Sequence, residues 1–103
     1  MLTDKQAKAI RILRDNPYIT ANRFAMLYFD TPKHEYLFTA VSNQGNGACA
    51  GKKAWLCAGS LLGKLKKELY VDSTKYDAPA RLYATAVGRI MLNKYDEYKK
   101  SQQ

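Results

Sequence analysis

The side chains in this sequence best suited to meeting another molecule are cations set among glycines. Between Gly51 and Leu69 stand Lys52, Lys53, Lys64, Lys66 and Lys67 against one acid, Glu68, a local balance of +4 that is half of the chain's net +8. From Trp55 onward a helical period puts Ala58, Leu61, Leu62, Leu65 and Leu69 on one apolar stripe, with Lys53, Ser60, Lys64 and Lys67 on the other side. Gly59 and Gly63 fall inside this helix, where each glycine costs roughly 1 kcal/mol relative to alanine. A cationic face of small residues suits the major groove of duplex DNA, where lysines meet phosphates and bulky side chains would hold the backbone away from the bases. The same pattern also describes a solvated lysine face whose glycines admit a neighbouring helix.

Catalysis finds little to work with. The single histidine, His34, lies in a polar stretch and reads as a surface residue, no carboxylates pair at a fixed spacing, and no nucleophile has an identifiable base, so an enzyme is not expected. Cys49 and Cys57 stand eight apart without a second pair, which reads as reduced thiols rather than a disulfide scaffold. With His34 they lack zinc-ligand spacing, and neither a metal nor a cofactor is expected. Ahead of the basic helix, Ser42 to Lys53 is a loop rich in glycine and asparagine. Such a loop can offer backbone N–H groups to a phosphate or serve only as a connector; Gly51-Lys52-Lys53 does not complete a Walker motif.

At 103 residues with 47% hydrophobic side chains, the chain is sized and composed for one folded domain. A pI of about 9.6 favours an acidic partner, nucleic acid first and an anionic membrane surface second. The first sixteen residues are charged throughout and no later apolar run has the length of a membrane span, so a soluble, cytoplasmic protein is expected.

The elements that must position the basic helix follow from capping signals. Thr3 with Gln6 forms a capping box for a helix from Leu2 to Asn16, with Leu2 and Ala7 as its staple, Ile10 and Leu13 toward the core and Arg11 and Arg14 outward. Asn16-Pro17 ends that helix; Thr20 then caps a second, in which Phe24, Leu27 and Tyr28 or Ala25 are buried and which stops at Asp30-Thr31-Pro32. Residues 31 to 41 read either as a short helix opened by Pro32 or, at YLFTAV, as a strand. Tyr70-Val71 and Arg81 to Ala84 read as two short strands around a polar tip bearing Lys75. Thr85 caps a last helix from Ala86 to about Lys99, whose apolar stripe is Ile90, Met91, Tyr95 and Tyr98.

Taken together, the order is that of a winged helix-turn-helix domain, and particular stretches resemble that family. Leu61 to Val71 resembles the end of its recognition helix and first wing strand. Tyr83-Ala84-Thr85-Ala86-Val87-Gly88-Arg89-Ile90-Met91-Leu92 resembles its Y-x-L-T-x-x-G-R-x-x-L pattern. The amino-terminal helix with Pro17-Tyr18-Ile19-Thr20 and Phe24-Ala25 is similar to the opening of MarR-like and PadR-like regulators. Gly45 to Lys67 is similar to small winged-helix proteins of phages and mobile elements. Glu68 stands where a glycine usually makes the helix-to-strand turn, Ala84 replaces a leucine, and the connection before the third helix is long.

The resemblance implies a mainly α fold with a small β-hairpin: a three-helix core, a two-stranded wing and a C-terminal helix. Helices one and two fall within residues 1–29, a long loop in 30–53, the recognition helix in 54–69, the wing in 70–85 and the last helix in 86–100. It implies a recognition helix in the major groove and a wing on the backbone or minor groove. Lys53, Ser60, Lys64 and Lys67 are then the outward positions, with Lys52 just ahead and Lys75 and Arg81 on the wing. Lys64, Lys67 and Arg81 are placed to meet phosphate, and Ser60 with Gln44 or Asn46 to meet base edges. Trp55 reads as a core anchor before it reads as a base-stacking residue.

The function implied is a small DNA-binding transcriptional regulator, with double-stranded DNA as partner and a homodimer through Tyr95 and Tyr98 of the last helix as an option; those tyrosines equally fit the protein's own core. The alternative is a protein-interaction module whose basic face meets an acidic protein, and the same charge would serve RNA or nonspecific duplex binding.

Overall fold

The computed structural model describes residues 1–30 and 54–102, with the side chains of Ala54 and Trp55 outside that description. The elements run α1 (Asp4–Asp15), β1 (Ile19–Thr20), α2 (Ala21–Tyr28), α3 (Ala54–Lys67), β2 (Val71–Ser73), β3 (Arg81–Ala84) and α4 (Ala86–Ser101). The described chain is thus mainly helical with one small antiparallel sheet.

Local chemistry explains the helix starts. Thr3 Oγ1 accepts the Gln6 N–H at 3.1 Å while Gln6 Oε1 accepts the Thr3 N–H at 3.0 Å, completing the capping box. Thr20 and Thr85 cap α2 and α4 in the same way, each taking the N–H three residues on. Between α1 and α2, Pro17 fixes the chain direction and Tyr18 takes φ 61, which aims its N–H at the Leu82 carbonyl, 2.7 Å away.

That bond extends the expected two-stranded hairpin to three strands. The sheet order is β1-β3-β2, with Ile19 opposite Leu82 and Val71 opposite Ala84. β3 alternates, burying Leu82 and Ala84 and turning Arg81 and Tyr83 outward.

The core joins all four helices to the sheet. Ile10 and Leu13 of α1, Phe24 of α2, Leu65 of α3, Val71 of β2 and Leu92 of α4 are the largest fully buried side chains, each contributing about 1.5–3 kcal/mol by burial. The expected α3 stripe holds at Ala58, Leu62 and Leu65, which are buried, and Leu61, which is half-buried. Leu69 departs from it. The helix ends at Lys67, Leu69 takes φ 66, and its side chain is 69% exposed. The Leu69 N–H bonds to the Lys66 carbonyl and the Tyr70 N–H to the Leu65 carbonyl, a Schellman turn with leucine in the left-handed position usually given to glycine. Cys57, not expected in the core, is buried beside the stripe.

The stripe on α4 is also rotated from expectation. Ile90 and Tyr98 are exposed, while Gly88 and Leu92 are buried and Met91 and Tyr95 pack against the core. Gly88 sets this phase: a Cβ there would lie 2.0 Å from the Tyr70 carbonyl oxygen, so only glycine lets α4 approach the turn after α3. Thr85 seals the junction, donating its N–H to Tyr70 O at 3.1 Å and its hydroxyl to Leu69 O at 2.6 Å.

Arg11, expected outward, is half-buried and forks onto Asp96 of α4 at 2.7 and 3.3 Å. The Asp96 carboxyl is held below its usual range by that hydrogen bond, and the Arg11 guanidinium is shifted the opposite way. Asp4 accepts the Tyr95 hydroxyl and pairs with Lys99 at 3.3 Å, and both lower its pKa. No helix among the described residues is long and apolar enough to cross a membrane.

Candidate functional site

Along α3 the buried residues fall on one side and leave Leu56, Gly59, Ser60, Gly63, Lys64, Lys66 and Lys67 exposed. Ser60, Lys64 and Lys67 therefore lie on the outward face, as expected. The three lysines crowd the last turns of the helix, where the carbonyl end of its dipole favours cations.

They are also unneutralised. All three ion pairs among the described residues lie on α1 and α4: Arg11 with Asp96, Arg14 with Asp15 and Lys99 with Asp4. Neither the α3 lysines nor Lys75 and Arg81 join one, and although Glu68 follows α3 and Asp72 and Asp77 lie in the hairpin, cations outnumber acids there.

Glycine sharpens the geometry. An alanine Cβ at Gly59 or Gly63 would have nothing within 4 Å among the described residues. Neither glycine is required by packing inside the described chain, in contrast to Gly88. The reading in which these glycines admit a neighbouring helix finds no such helix against them among the described residues.

Beside this face the hairpin and the start of α2 complete an open groove of about 380 Å³, lined by Asn22, Gly59, Gly63, Lys66, Pro79 and Ala80 among others. Two glycines form one wall and Lys66 reaches into the same space. Lys66 was not among the expected contact residues, although Gly59, Gly63 and Lys66 at i, i+4 and i+7 share one helical face and that spacing was the available signal.

Lys75 and Arg81 both belong to the hairpin. Lys75 lies in the exposed tip beside Tyr76, which is 98% exposed. Arg81 stands at the base, where Thr74 braces it: Thr74 Oγ1 accepts the Arg81 N–H at 2.9 Å and the Thr74 N–H returns to Arg81 O at 2.8 Å. The Arg81 guanidinium reaches the Tyr18 carbonyl at 3.4 Å, which holds it against β1 rather than out at the tip.

Gln44, Asn46, Lys52 and Lys53 lie outside the described residues, as do His34 and Cys49. Among the described residues no group of three or more His, Cys, Asp or Glu side chains could hold a metal. Of the two tyrosines expected at a dimer surface, Tyr95 packs on the core and donates its hydroxyl to Asp4, which raises its pKa, whereas Tyr98 is exposed.

Chemically, this face offers ammonium groups that join no ion pair among the described residues, a hydroxyl, an approachable helix backbone and a braced hairpin, all suited to binding an anionic surface. The chain matches no protein-family model, no curated protein and no solved structure.

Proposed function

We propose that this protein binds double-stranded DNA as a winged helix-turn-helix domain, with α3 in the major groove and the β2–β3 hairpin on the adjacent backbone, in the role of a small transcriptional regulator. One observation carries the reading: α3 presents two glycines with open space above them beside three unpaired lysines. The open glycines let the helix backbone sit close to base edges, and the lysines meet phosphates on either side.

The element order supports the fold half of the proposal. A short β1 between α1 and α2, paired to the second strand of a hairpin that follows α3, ties the hairpin beside the third helix as a wing requires. Ser60 is the polar side chain placed for base edges; Lys64, Lys66 and Lys67 carry affinity, and Lys75 and Arg81 hold the wing to the backbone.

The test is a salt series of binding to random duplex DNA, comparing wild type with a Lys64→Ala/Lys67→Ala variant. Each phosphate contact contributes about 0.9 to the slope of log K against log salt, so the variant should lose affinity and roughly two units of slope. Both side chains are exposed, so the fold should survive the change. No binding by the wild type at about 50 mM salt overturns the proposal.

A further inference from the structure

Between the C-terminal end of α1, the Pro17-Tyr18 turn, the end of β3 and the start of α4 lies a second cavity, of about 310 Å³. Its size is at the lower end of small-ligand sites, which run from about 300 Å³ upward. We infer that this cavity is a binding site for an aromatic base carrying a phosphate, a mononucleotide unit, with the base against Tyr18 and Tyr83 and the phosphate between Arg14 and Arg89.

The aromatic wall is a pair. The rings of Tyr18 and Tyr83 lie 5.4 Å apart with a 40° tilt, and Tyr18 is 57% exposed. A ring so exposed adds little to the core, yet its backbone is fixed: φ is 61, unusual for a bulky residue, and the N–H is bound to the Leu82 carbonyl. The turn therefore holds a flat apolar surface at the cavity mouth at a conformational cost, and strained residues of this kind gather at ligand sites. Any base can stack there, because every base has a π-face.

The cations stand across from it. The Arg89 guanidinium has no ion-pair or hydrogen-bond partner among the described residues; its backbone N–H bonds to Thr85 O. Arg14 gives only its Nε to Asp15, at 2.9 Å, and keeps its terminal nitrogens. Asp15 is the nearest opposing charge; no acid is among the residues lining the cavity, on α1, the turn, β3 or α4. Two guanidinium groups match a phosphate monoester of nearly two negative charges, and bidentate N–H donors fit its oxygens. Thr85 Oγ1 takes the Gly88 N–H, so the Ala86 amide remains at the rim and adds the positive end of the α4 dipole. Arginines, a tilted pair of aromatic rings and a partly open cavity together specify the ligand; the helix end only reinforces it.

A free nucleoside monophosphate and the 5′-phosphorylated end of a single strand both carry this chemistry, and the site stands apart from the α3 face, so it holds whether or not α3 binds a duplex. The experiment is a titration of the labelled protein followed by amide NMR shifts. The probes are adenosine 5′-monophosphate, a 5′-phosphorylated thymidine tetranucleotide, the same tetranucleotide without phosphate, adenosine, and inorganic phosphate. Saturable shifts at Tyr18, Tyr83, Ala86 and Arg89 with the monophosphate identify a free nucleotide as ligand; saturation by the phosphorylated tetranucleotide alone identifies a strand end. Adenosine and inorganic phosphate should bind at least about tenfold more weakly, since each lacks half of the recognised group.

An Arg14→Gln/Arg89→Gln variant, altered at two exposed positions, should lose about tenfold or more in affinity. Lys64→Ala/Lys67→Ala, which removes the same charge from α3, should stay within about twofold, as expected when the removed charges lie well away from the ligand. No saturation by either phosphorylated probe up to about 10 mM overturns the assignment. Equal binding of the unphosphorylated tetranucleotide, or equal loss in the two variants, does the same.

Discussion

Replacing Gly59 and Gly63 with alanine tests the functional reading at its centre, because it should move stability and affinity in opposite directions. Both glycines lie in the interior of α3, and a methyl group at either meets nothing within 4 Å among the described residues. The substitution then gains the helix-propensity difference, about 0.8–1 kcal/mol at each position and nearly 2 kcal/mol for the pair. In a domain of this size that raises the melting temperature by upwards of about 6 °C. Duplex affinity should fall. If the helix backbone lies against base edges, two methyl groups push it outward and break at least one base contact worth about 1–3 kcal/mol, a loss of about tenfold or more.

Two measurements on the same samples decide it: chemical denaturation followed by circular dichroism, and fluorescence anisotropy with a labelled duplex. A double variant that is more stable and binds as tightly as wild type refutes the close-approach argument, because the glycines would then have neither an internal nor an external reason. A variant no more stable than wild type refutes the premise that the space is open. The single variants add resolution, since Gly63 and Gly59 share the groove with Lys66.

Gly88→Ala should do the reverse. Its Cβ would lie 2.0 Å from Tyr70 O and 2.9 Å from the carbonyl carbon, so α4 must pull away and loosen both Thr85 bonds to that turn; the net loss is about 2–4 kcal/mol, read from the urea midpoint, and a stabilised variant would contradict the assigned contact. Asp96→Asn should cost about 0.5–1 kcal/mol near pH 7, the scale of a solvent-screened pair whose side chains are 41% and 39% exposed. Because the Arg11 hydrogen bond holds the Asp96 carboxyl below its unfolded pKa, that stability is present above about pH 4 and is lost as pH falls through the lowered folded value. Thermal melts of both proteins should therefore converge as pH falls through that lowered value, and a gap that does not narrow below about pH 4 would rule out the ion pair as its source.

Local hydrogen-bond chemistry was the legible part of this fold. Thr3, Thr20 and Thr85 each announce a helix start because a cap involves only neighbours, and all three cap as expected. β1 had no such signal. Two residues carry no period, and Ile19-Thr20 is a strand only through its pairing with residues more than sixty positions away. α4 misled for a different reason: Val87, Ile90, Met91, Leu92, Tyr95 and Tyr98 spread apolar groups around the helix, so its phase is set by where Gly88 meets Tyr70, a contact between elements. Leu69 continued the spacing of α3 beyond the turn that ends it, and with leucine rather than glycine in the left-handed position there was no residue to mark the stop. Of the candidate site, Ser60, Lys64 and Lys67 were legible from helical phase. Lys66 was signalled by its i, i+4, i+7 spacing with Gly59 and Gly63, but its place became plain once the hairpin and α2 were seen to share its side of the helix.

Apart from the left-handed Tyr18 and Asp30, unfavourable choices among the described residues gather around one element. Gly59 and Gly63 each forgo about 1 kcal/mol of helix propensity with no contact among the described residues to explain them, and Leu69 adds about 1–2 kcal/mol of left-handed backbone at the end of the same helix. The lysines of that helix join no ion pair among the described residues, while Arg11–Asp96 and Lys99–Asp4 brace α1 to α4. Stabilising replacements are easy to find, and positions that resist them are where function sets the requirement. Were α3 merely a solvated face, alanines at 59 and 63 would give a firmer helix at no cost to anything in the described structure. On the proposed reading, alanine is absent there because a partner surface comes close enough that a methyl group matters and is negative enough to gather lysines, as a nucleic-acid groove is.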